Sequence, residues 1–173
     1  QGTGSVELAI GELHESTIRR VDSRSLDFGK RTLLGMLQKF DGRYERLCEW
    51  IDHELSGSSI PDCTAVDRVI AMGSPATKLA WIFHGESDTY RREEVHGQML
   101  RLKKIRTSIK AGIQLPSKAK QVTRLKDEDF DALLSGLCVL ETVLKIYNQT
   151  EVIVSGEGLR YGVAWKLAQG DCP

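Results

Sequence analysis

The sequence has little that would bind a metal through sulfur or cross a membrane. Its four cysteines, Cys48, Cys63, Cys138 and Cys172, show no C-x-x-C spacing, so neither a zinc site nor a disulfide framework is predicted. No apolar run approaches the roughly 18 residues that span a bilayer, and no signal-like segment opens the chain. We therefore expect a cytoplasmic protein that has no membrane partner.

The chain also lacks net charge, because 24 basic residues balance 24 acidic ones. Charge alone therefore names no partner, and no nucleic-acid partner is expected. The distribution is uneven, since residues 101–126 include nine Lys or Arg and no Asp or Glu, which leaves 15 basic and 24 acidic residues elsewhere. Such a basic tract is most often a solvated face, but it can also steer a polyanion toward the protein.

Length and composition indicate one soluble globular domain. The chain has 173 residues, of which 40% are hydrophobic and 28% charged, and this is enough to bury a core. It begins at Gln1, without a methionine and inside what reads as a structured motif. We therefore expect a domain that belongs to a longer protein.

The start of the chain combines a glycine-rich loop with an alternating apolar strand. Gly2 and Gly4 have no Cβ atom, so backbone N–H groups can converge on an anion there. Thr3 and Ser5 add hydroxyl donors. Glu7, in the strand that follows, can hold a hydrated magnesium ion beside a bound phosphate. An ordinary Gly-Ser turn before an edge strand is the alternative, and such turns are common.

Hydrophobic periodicity predicts alternating strands and helices. Strands are predicted at 6–10, within 14–26, at 68–72 (short and buried) and at 152–154, with a third N-terminal strand at 25–28 and a strand or bend at 95–100. Helices are predicted at 30–40, 44–55, 75–84, 101–111, 127–147 and after residue 158. The longest helix is expected to span the core with an apolar face of Phe130, Leu133, Leu134, Leu137, Leu140 and Leu144.

Two further glycine turns follow predicted strands. At the first, Ser74 is a good N-cap after Gly73, and Pro75 suits the first helical position. The second, at 155–158, precedes Arg160, which can reach into the same cleft from the first turn of the last helix. Helix N-termini at such turns favour anions, and one sheet edge can bring all three loops together. The alternatives are a cap without a ligand at Ser74 and a surface ion pair at Arg160.

These motifs resemble the second domain of the exopolyphosphatase and guanosine pentaphosphate phosphohydrolase (Ppx/GppA) family, part of the actin and sugar kinase superfamily. Residues 2–8 are similar to its D-x-G-x-G-S-x-E-L phosphate loop, whose leading aspartate would stand before Gln1. Residues 72–80 are similar to its G-G-T-x-x-x-L-A turn, 95–100 to V-H-G-x-x-L, and 155–162 to S-x-x-G-L-R-E-G. The resemblance covers nearly the whole chain.

The resemblance implies an α/β fold of the ribonuclease-H-like (actin-like ATPase) type, with a mixed sheet, an antiparallel N-terminal part and flanking helices. Residues 1–173 would be the C-terminal half of a two-domain phosphatase that removes terminal phosphate from polyphosphate or guanosine pentaphosphate. Mg2+ or another divalent cation would assist, and the glutamate base would lie in the first domain. The implied phosphate-binding residues are Gly2, Thr3, Gly4, Ser5, Gly73, Ser74 and Arg160, with Glu7 at the metal.

The chain departs from the family pattern at three places. Ser74 and Pro75 replace a glycine-threonine pair, Tyr161 stands where the family has glutamate, and Asp129 stands where an arginine is usual. A non-catalytic phosphoanion or nucleotide sensor, or a regulatory module derived from the family, is therefore the alternative function. The sequence shows no base-stacking pocket, so it does not decide between polyphosphate and guanosine pentaphosphate as the preferred substrate. It does not decide whether the protein forms a homodimer either.

Overall fold

The computed structural model describes residues 2–15, 17–58, 60–61, 65–84, 90–114 and 125–170. The strands are β1 (Val6–His14), β2 (Thr17–Leu26), β3 (Ile70–Met72), β4 (Met99–Arg101) and β5 (Glu151–Ser155). The helices are α1 (Lys30–Lys39), α2 (Tyr44–Gly57), α3 (Ser74–His84), α4 (Arg92–Val95), α5 (Leu102–Gln114), α6 (Asp127–Ile146) and α7 (Leu159–Ala168). No helix within these described residues is long and apolar enough to cross a membrane.

The first two strands form an antiparallel hairpin that is buried at one end only. Val6 is buried and Leu8 is half-buried, as the alternation predicts, whereas Leu13 and Ile18 beyond a bulge are each 70% exposed. The predicted third strand at 25–28 is wrong. Residues 25 and 26 complete β2, and the ladder ends there because Leu26 pairs with Val6 at the beginning of β1.

A three-stranded mixed sheet has the order β3-β5-β4, with β3 parallel and β4 antiparallel to β5. The expected mixed sheet is thus confirmed. In the described part of the chain, however, the antiparallel hairpin is a separate sheet and not a continuation of this one. The segment at 95–100 resolves into the end of α4, a turn and the start of β4.

The short strand β3 was expected to be buried, and this is wrong. Ile70 is 59% exposed and Met72 54% exposed, and Met99, which shares the partner Ile153 with Ile70, is 53% exposed. The reason is that β3 is an edge strand and one face of the sheet is uncovered. The opposite face is closed, because Val152, Val154 and Leu100 point that way and are buried.

The core surrounds α6, which packs against α1, α2, α3 and α5. The predicted apolar face is confirmed, with Leu140 half-buried and the other five residues buried. Burial extends around the helix, since Ser135, Cys138 and Thr142 are also enclosed. Helix α6 therefore spans the core as predicted, and it is the element on which these four helices pack.

Helix α7 is present where the sequence predicts it, but none of its residues is buried. Its apolar residues are exposed, Leu159 to 83% and Trp165 to 67%, together with Val163 and Leu167. A helix that is apolar on several sides normally lies inside a protein. The described part of the chain therefore leaves α7 without the partner that its sequence requires.

Candidate functional site

The opening loop lies on the N-terminus of α1. Its turn closes through the Gly2 N–H, which donates to the Ser5 carbonyl over 2.8 Å. The Lys30 N–H donates to the Gly2 carbonyl, and the Arg31 N–H to the Thr3 carbonyl, each over 3.0 Å. The loop carbonyls thus occupy the first donors of α1. Within the described residues the N–H groups of Thr3 and Gly4 have no acceptor, so they stay available to an anion.

Gly29 makes this contact between loop and helix possible, and sequence reasoning missed it. A Cβ atom at this position would lie 2.5 Å from the Ser5 nitrogen, 2.6 Å from the Gly4 carbonyl carbon and 2.7 Å from the Gly2 oxygen. These are backbone atoms that cannot move aside separately, so only glycine fits. The signal available in the sequence was a glycine directly before a predicted helix.

Glu7 lies beside the loop, as its position in β1 predicts. The Ser5 hydroxyl donates a hydrogen bond to the Glu7 carboxylate, whose side chain is exposed to solvent. Mg2+ commonly binds one or two carboxylates together with phosphate oxygens and water. Glu7 fits such a site as its single protein carboxylate. Among the described residues, no group of three or more His, Cys, Asp or Glu is arranged so that it could hold a metal ion by itself.

At the second turn the helix begins one residue earlier than predicted. Gly73 has φ +106, a left-handed conformation that favours glycine, and α3 starts at Ser74. The Thr77 N–H and hydroxyl both approach the Gly73 carbonyl at 3.2 Å. Gly73 therefore precedes the helix in place of Ser74, and the exposed Ser74 side chain forms the first helical residue.

Arg92 contacts the third glycine turn, at residues 155–158. This contact was not predicted from the sequence either. The guanidinium Nη1 of Arg92 is 3.0 Å from the Glu157 carboxylate. A Cβ atom on Gly156 would lie 2.8 Å from the Arg92 Cγ, so glycine permits this approach. The Ser155 hydroxyl donates to the Glu157 carbonyl over 2.9 Å. Arg92 reaches the turn from α4, more than sixty residues away in sequence, and no local pattern announces that contact.

Arg160 does not form the predicted alternative, a surface ion pair, with any described acidic residue. Its guanidinium carbon lies 5.6 Å from the centre of the Tyr161 ring, and that of Arg92 lies 5.3 Å from the same ring. An aromatic face attracts cations in this range. The Tyr161 ring thus contacts two arginines.

Two of the three glycine turns lie at one edge of the mixed sheet, as predicted. Met72 pairs with Ser155 in the parallel ladder between β3 and β5. Gly73 and Gly156 directly follow these paired residues. The carboxyl ends of parallel strands are where α/β proteins commonly bind ligands.

Ion pairs join α1 and α3 to the start of α6. Lys30, at the start of α1, lies 3.0 Å from Glu128, and Lys78 of α3 lies 3.3 Å from Asp129. Because Glu128 and Asp129 are adjacent at the start of α6, the side chains of Lys30 and Lys78 both reach the first turn of that helix. A single cleft formed by all three turns stays a prediction.

The described beginning of the basic tract, residues 101–114, lies in a different place. An open groove of about 790 Å³ is lined by Arg101, Leu102, Lys103, Arg106, Thr107, Lys110, Thr150 and Glu151. Since Arg101 pairs with Glu151, the groove lies at the start of β5, whereas the glycine turn lies at its end. Arg106 is bound to Glu141 over 2.9 Å. Arg101, Lys103 and Lys110 have no acidic partner within the part of the chain that the structure describes.

Glycine turns before helix N-termini, at the end of a parallel strand pair, are an arrangement in which α/β domains commonly bind anions. The Ppx/GppA phosphatase family model matches residues 1–170. The chain therefore belongs to the Ppx/GppA phosphatase family, which confirms the resemblance.

Solved structures agree with this assignment. The Aquifex aeolicus Ppx/GppA enzyme is 25% identical with a TM-score of 0.76, and the match covers 95% of this chain and 54% of that one. A second Aquifex aeolicus structure has 24% identity and a TM-score of 0.79 over 100% of this chain and 56% of the other. An exopolyphosphatase from Cytophaga hutchinsonii shares the fold, at 17% identity and TM-score 0.62, over 98% of this chain and 55% of the other.

The chain thus spans about half the length of the structures it matches. Among curated proteins, no sequence matches it.

Proposed function

We propose that this chain is the phosphate-binding domain of an exopolyphosphatase-like hydrolase that removes terminal phosphate from polyphosphate or guanosine pentaphosphate. The observation that carries the proposal is the opening loop, which rests on α1 with the Thr3 and Gly4 N–H groups unused and Glu7 beside it. Membership of the Ppx/GppA family supports a phosphoanhydride substrate. We infer a ribonuclease-H-like (actin-like ATPase) arrangement for the domain on the same ground.

In this proposal the chain binds and orients the substrate. The N–H groups of Thr3 and Gly4 and the hydroxyl of Ser5 donate to phosphate oxygens, and the turn at Gly73 and Ser74 adds donors from the start of α3. Arg160 adds positive charge. Glu7 would hold Mg2+, which when bound offsets the negative charge of the transferring phosphate. Fixing these groups together lowers the entropic cost of reaching the transition state.

The general base would lie in a first domain of the same protein, and the exposed surfaces of this chain support such a partner. Helix α7 presents Leu159, Val163 and Trp165 to solvent, and the sheet face presents Ile70 and Met72. Exposed apolar surfaces of this kind are ones that a second domain covers. A second copy of the chain, forming a homodimer, is the other partner that we consider for these surfaces.

We place the protein in the cytoplasm.

The basic groove would contact a long polyphosphate beyond the reacting end. Because it lies at the opposite end of β5 from the glycine turns, only a chain of many phosphates can occupy both places. Arg101, Lys103 and Lys110 would attract such a polyanion. Short substrates such as guanosine pentaphosphate would then gain nothing from these three residues.

A non-catalytic phosphoanion sensor is the second candidate. It is favoured by the turn at α3, where Pro75 has no N–H to donate, and by Tyr161 in place of the family's glutamate. Such a protein would bind polyphosphate or a nucleotide and release no phosphate.

Calorimetric titration with tripolyphosphate and Mg2+ tests the binding site that both candidates share. Ser5→Ala removes a phosphate donor and the partner of Glu7, and it should weaken binding about tenfold, since one charge-assisted hydrogen bond contributes about 1.5 kcal/mol. Lys103→Gln is the matched control in the basic groove, and it should leave tripolyphosphate affinity unchanged. If the wild type and Ser5→Ala bound tripolyphosphate with equal affinity, the opening loop would not be part of the phosphate-binding site.

A further inference from the structure

Two thiols from distant parts of the chain meet inside the helical layer. The Sγ atoms of Cys48 on α2 and Cys138 on α6 are 2.9 Å apart, although the residues are 90 positions apart in sequence. Both are free thiols. Cys138 is 1% exposed, whereas Cys48 is half-buried and so open to small solutes on one side. The proposed phosphatase function uses neither of them.

The packing of the two helices holds this approach in place. Leu47 and Ile51, on either side of Cys48, are fully buried, as is Leu137 beside Cys138. Side chains in such a core have few alternative rotamers. A disulfide has its sulfur atoms about 2.05 Å apart, so the two atoms need to approach by less than about 1 Å.

The two thiols are chemically unequal, which assigns each a role. The hydrogen bond with Cys138 lowers the pKa of Cys48, an effect that burial opposes. Nearby Lys145 acts in the same direction as the hydrogen bond, and Glu141 and Glu45 act against it. The hydrogen bond and burial raise the pKa of Cys138. The thiolate is the reactive form of cysteine, so Cys48 is the residue that a small oxidant meets first.

We propose that Cys48 and Cys138 are a peroxide-sensitive thiol pair that closes to an intramolecular disulfide between α2 and α6. The Cys48 thiolate attacks one oxygen of hydrogen peroxide, the O–O bond breaks, and after proton uptake the products are the Cys48 sulfenic acid and water. The Cys138 sulfur then attacks the Cys48 sulfur and displaces the second oxygen as water. Two thiols are oxidised to one disulfide and one peroxide is reduced to two waters. A thiol reductant reverses the step.

The test uses the 173-residue chain with Cys63→Ser and Cys172→Ser, so that Cys48 and Cys138 are its only thiols. The reduced protein is treated with hydrogen peroxide, unfolded, labelled with N-ethylmaleimide and weighed by mass spectrometry. We expect no label and a mass lower by two hydrogens than that of the reduced chain. Dithiothreitol should restore both labelling sites, and a proteolytic digest should contain a peptide pair linked through Cys48 and Cys138.

Single variants separate the two roles. With Cys138→Ser, peroxide should leave Cys48 as a sulfenic acid that dimedone traps. If that buried substitution prevents folding, Cys48→Ser serves in its place, and Cys138 should then stay reduced and accept one label. The proposal is overturned if the two-thiol chain keeps both labelling sites after oxidation. It is equally overturned if Cys48 proceeds to a sulfinic acid while Cys138 is labelled, or if the linkage joins two chains.

Discussion

Helices α6 and α7 are both rich in apolar residues, yet their surroundings are opposite. Eleven of the twenty residues of α6 are buried, on all sides of the helix, and four other helices pack against it. None of the ten residues of α7 is buried. The apolar sequence of each helix thus predicts that it is buried. Within the described part of the chain, only α6 has packing partners that bury it.

The difference separates surfaces that the chain closes by itself from surfaces that it leaves open. The core around α6, the contact between the opening loop and Gly29, and the thiol pair belong to the first group. Helix α7, the face of β3 and the distal hairpin belong to the second. Substitutions in the first group should affect the folding of this chain, whereas those in the second should affect association with another domain.

The largest effect is expected from a leucine pair, one in each helix. Leu137→Ala in α6 empties a fully buried site and should reduce the free energy of unfolding by about 2–5 kcal/mol. Leu159→Ala in α7, at a position 83% exposed, should change it by less than about 0.5 kcal/mol. Urea unfolding followed by circular dichroism measures both. Equal losses would mean that α7 is packed in solution, and the comparison would fail.

Two glycines of the α1 region extend the comparison to the candidate site. Gly29→Ala forces a methyl group against the opening loop and should cost about 1–3 kcal/mol while weakening tripolyphosphate binding. Gly35→Ala, on α1 where nothing lies within 4 Å of the added atom, should stabilise the chain by about 0.5–1 kcal/mol. Thermal melting and calorimetric titration report the two effects. If the Gly29→Ala variant binds tripolyphosphate with wild-type affinity, binding does not depend on the contact between the opening loop and α1.

A tyrosine pair should show a smaller effect and a pH dependence. The hydroxyl of buried Tyr44 donates to the Asp131 carboxylate over 2.9 Å, whereas Tyr90 is 45% exposed. Tyr44→Phe should cost about 1 kcal/mol, and Tyr90→Phe nearly nothing.

Burial, together with the bond to Asp131, raises the pKa of Tyr44 above its ordinary value of 10.0. The folded state thus favours the neutral phenol, so this stabilisation is complete below that pH and is lost as the pH rises above it. The wild type should therefore lose more stability than Tyr44→Phe between about pH 9 and about pH 11. If the stability of the two proteins measured by urea unfolding changed with pH in parallel, the raised pKa of Tyr44 would not contribute to the pH dependence of stability.

The smallest effect on this chain is expected from Trp165→Ser in α7, because the side chain is 67% exposed. Stability should stay within about 0.5 kcal/mol of wild type. In a protein that also carries the first domain, the same substitution should weaken the association of the two halves, as measured by limited proteolysis at the junction. His53→Ser, at an exposed position of α2, is a control that should leave proteolysis unchanged.

Periodicity predicted much of the fold because helices and their apolar faces are local properties. The face of α6 was predicted correctly at Phe130, Leu133 and Leu137 for this reason. The same pattern could not tell that Ile70 and Met72 lie on an open sheet face, since apolarity says nothing about which element covers a strand. The separation of the hairpin from the mixed sheet was invisible for the same reason.

The candidate site was only partly predictable. The glycine turns were visible as local motifs, and the parallel ladder brought Gly73 and Gly156 to one edge as expected. Gly29 and Arg92 were missed because their contacts join segments far apart in sequence. The helix start at Ser74 was misjudged by one residue, because Gly73 adopts a left-handed conformation that the Ser-Pro pair concealed.

The most direct test is Mg2+-dependent phosphate release from long-chain polyphosphate and from guanosine pentaphosphate. It compares this chain with a protein that joins it to a first domain. The proposal predicts release by the joined protein alone, with loss on Glu7→Ala, and a preference for long polyphosphate that Lys103→Gln diminishes. No release from either substrate by the joined protein, with tripolyphosphate binding intact, would contradict the enzyme and leave a phosphoanion sensor.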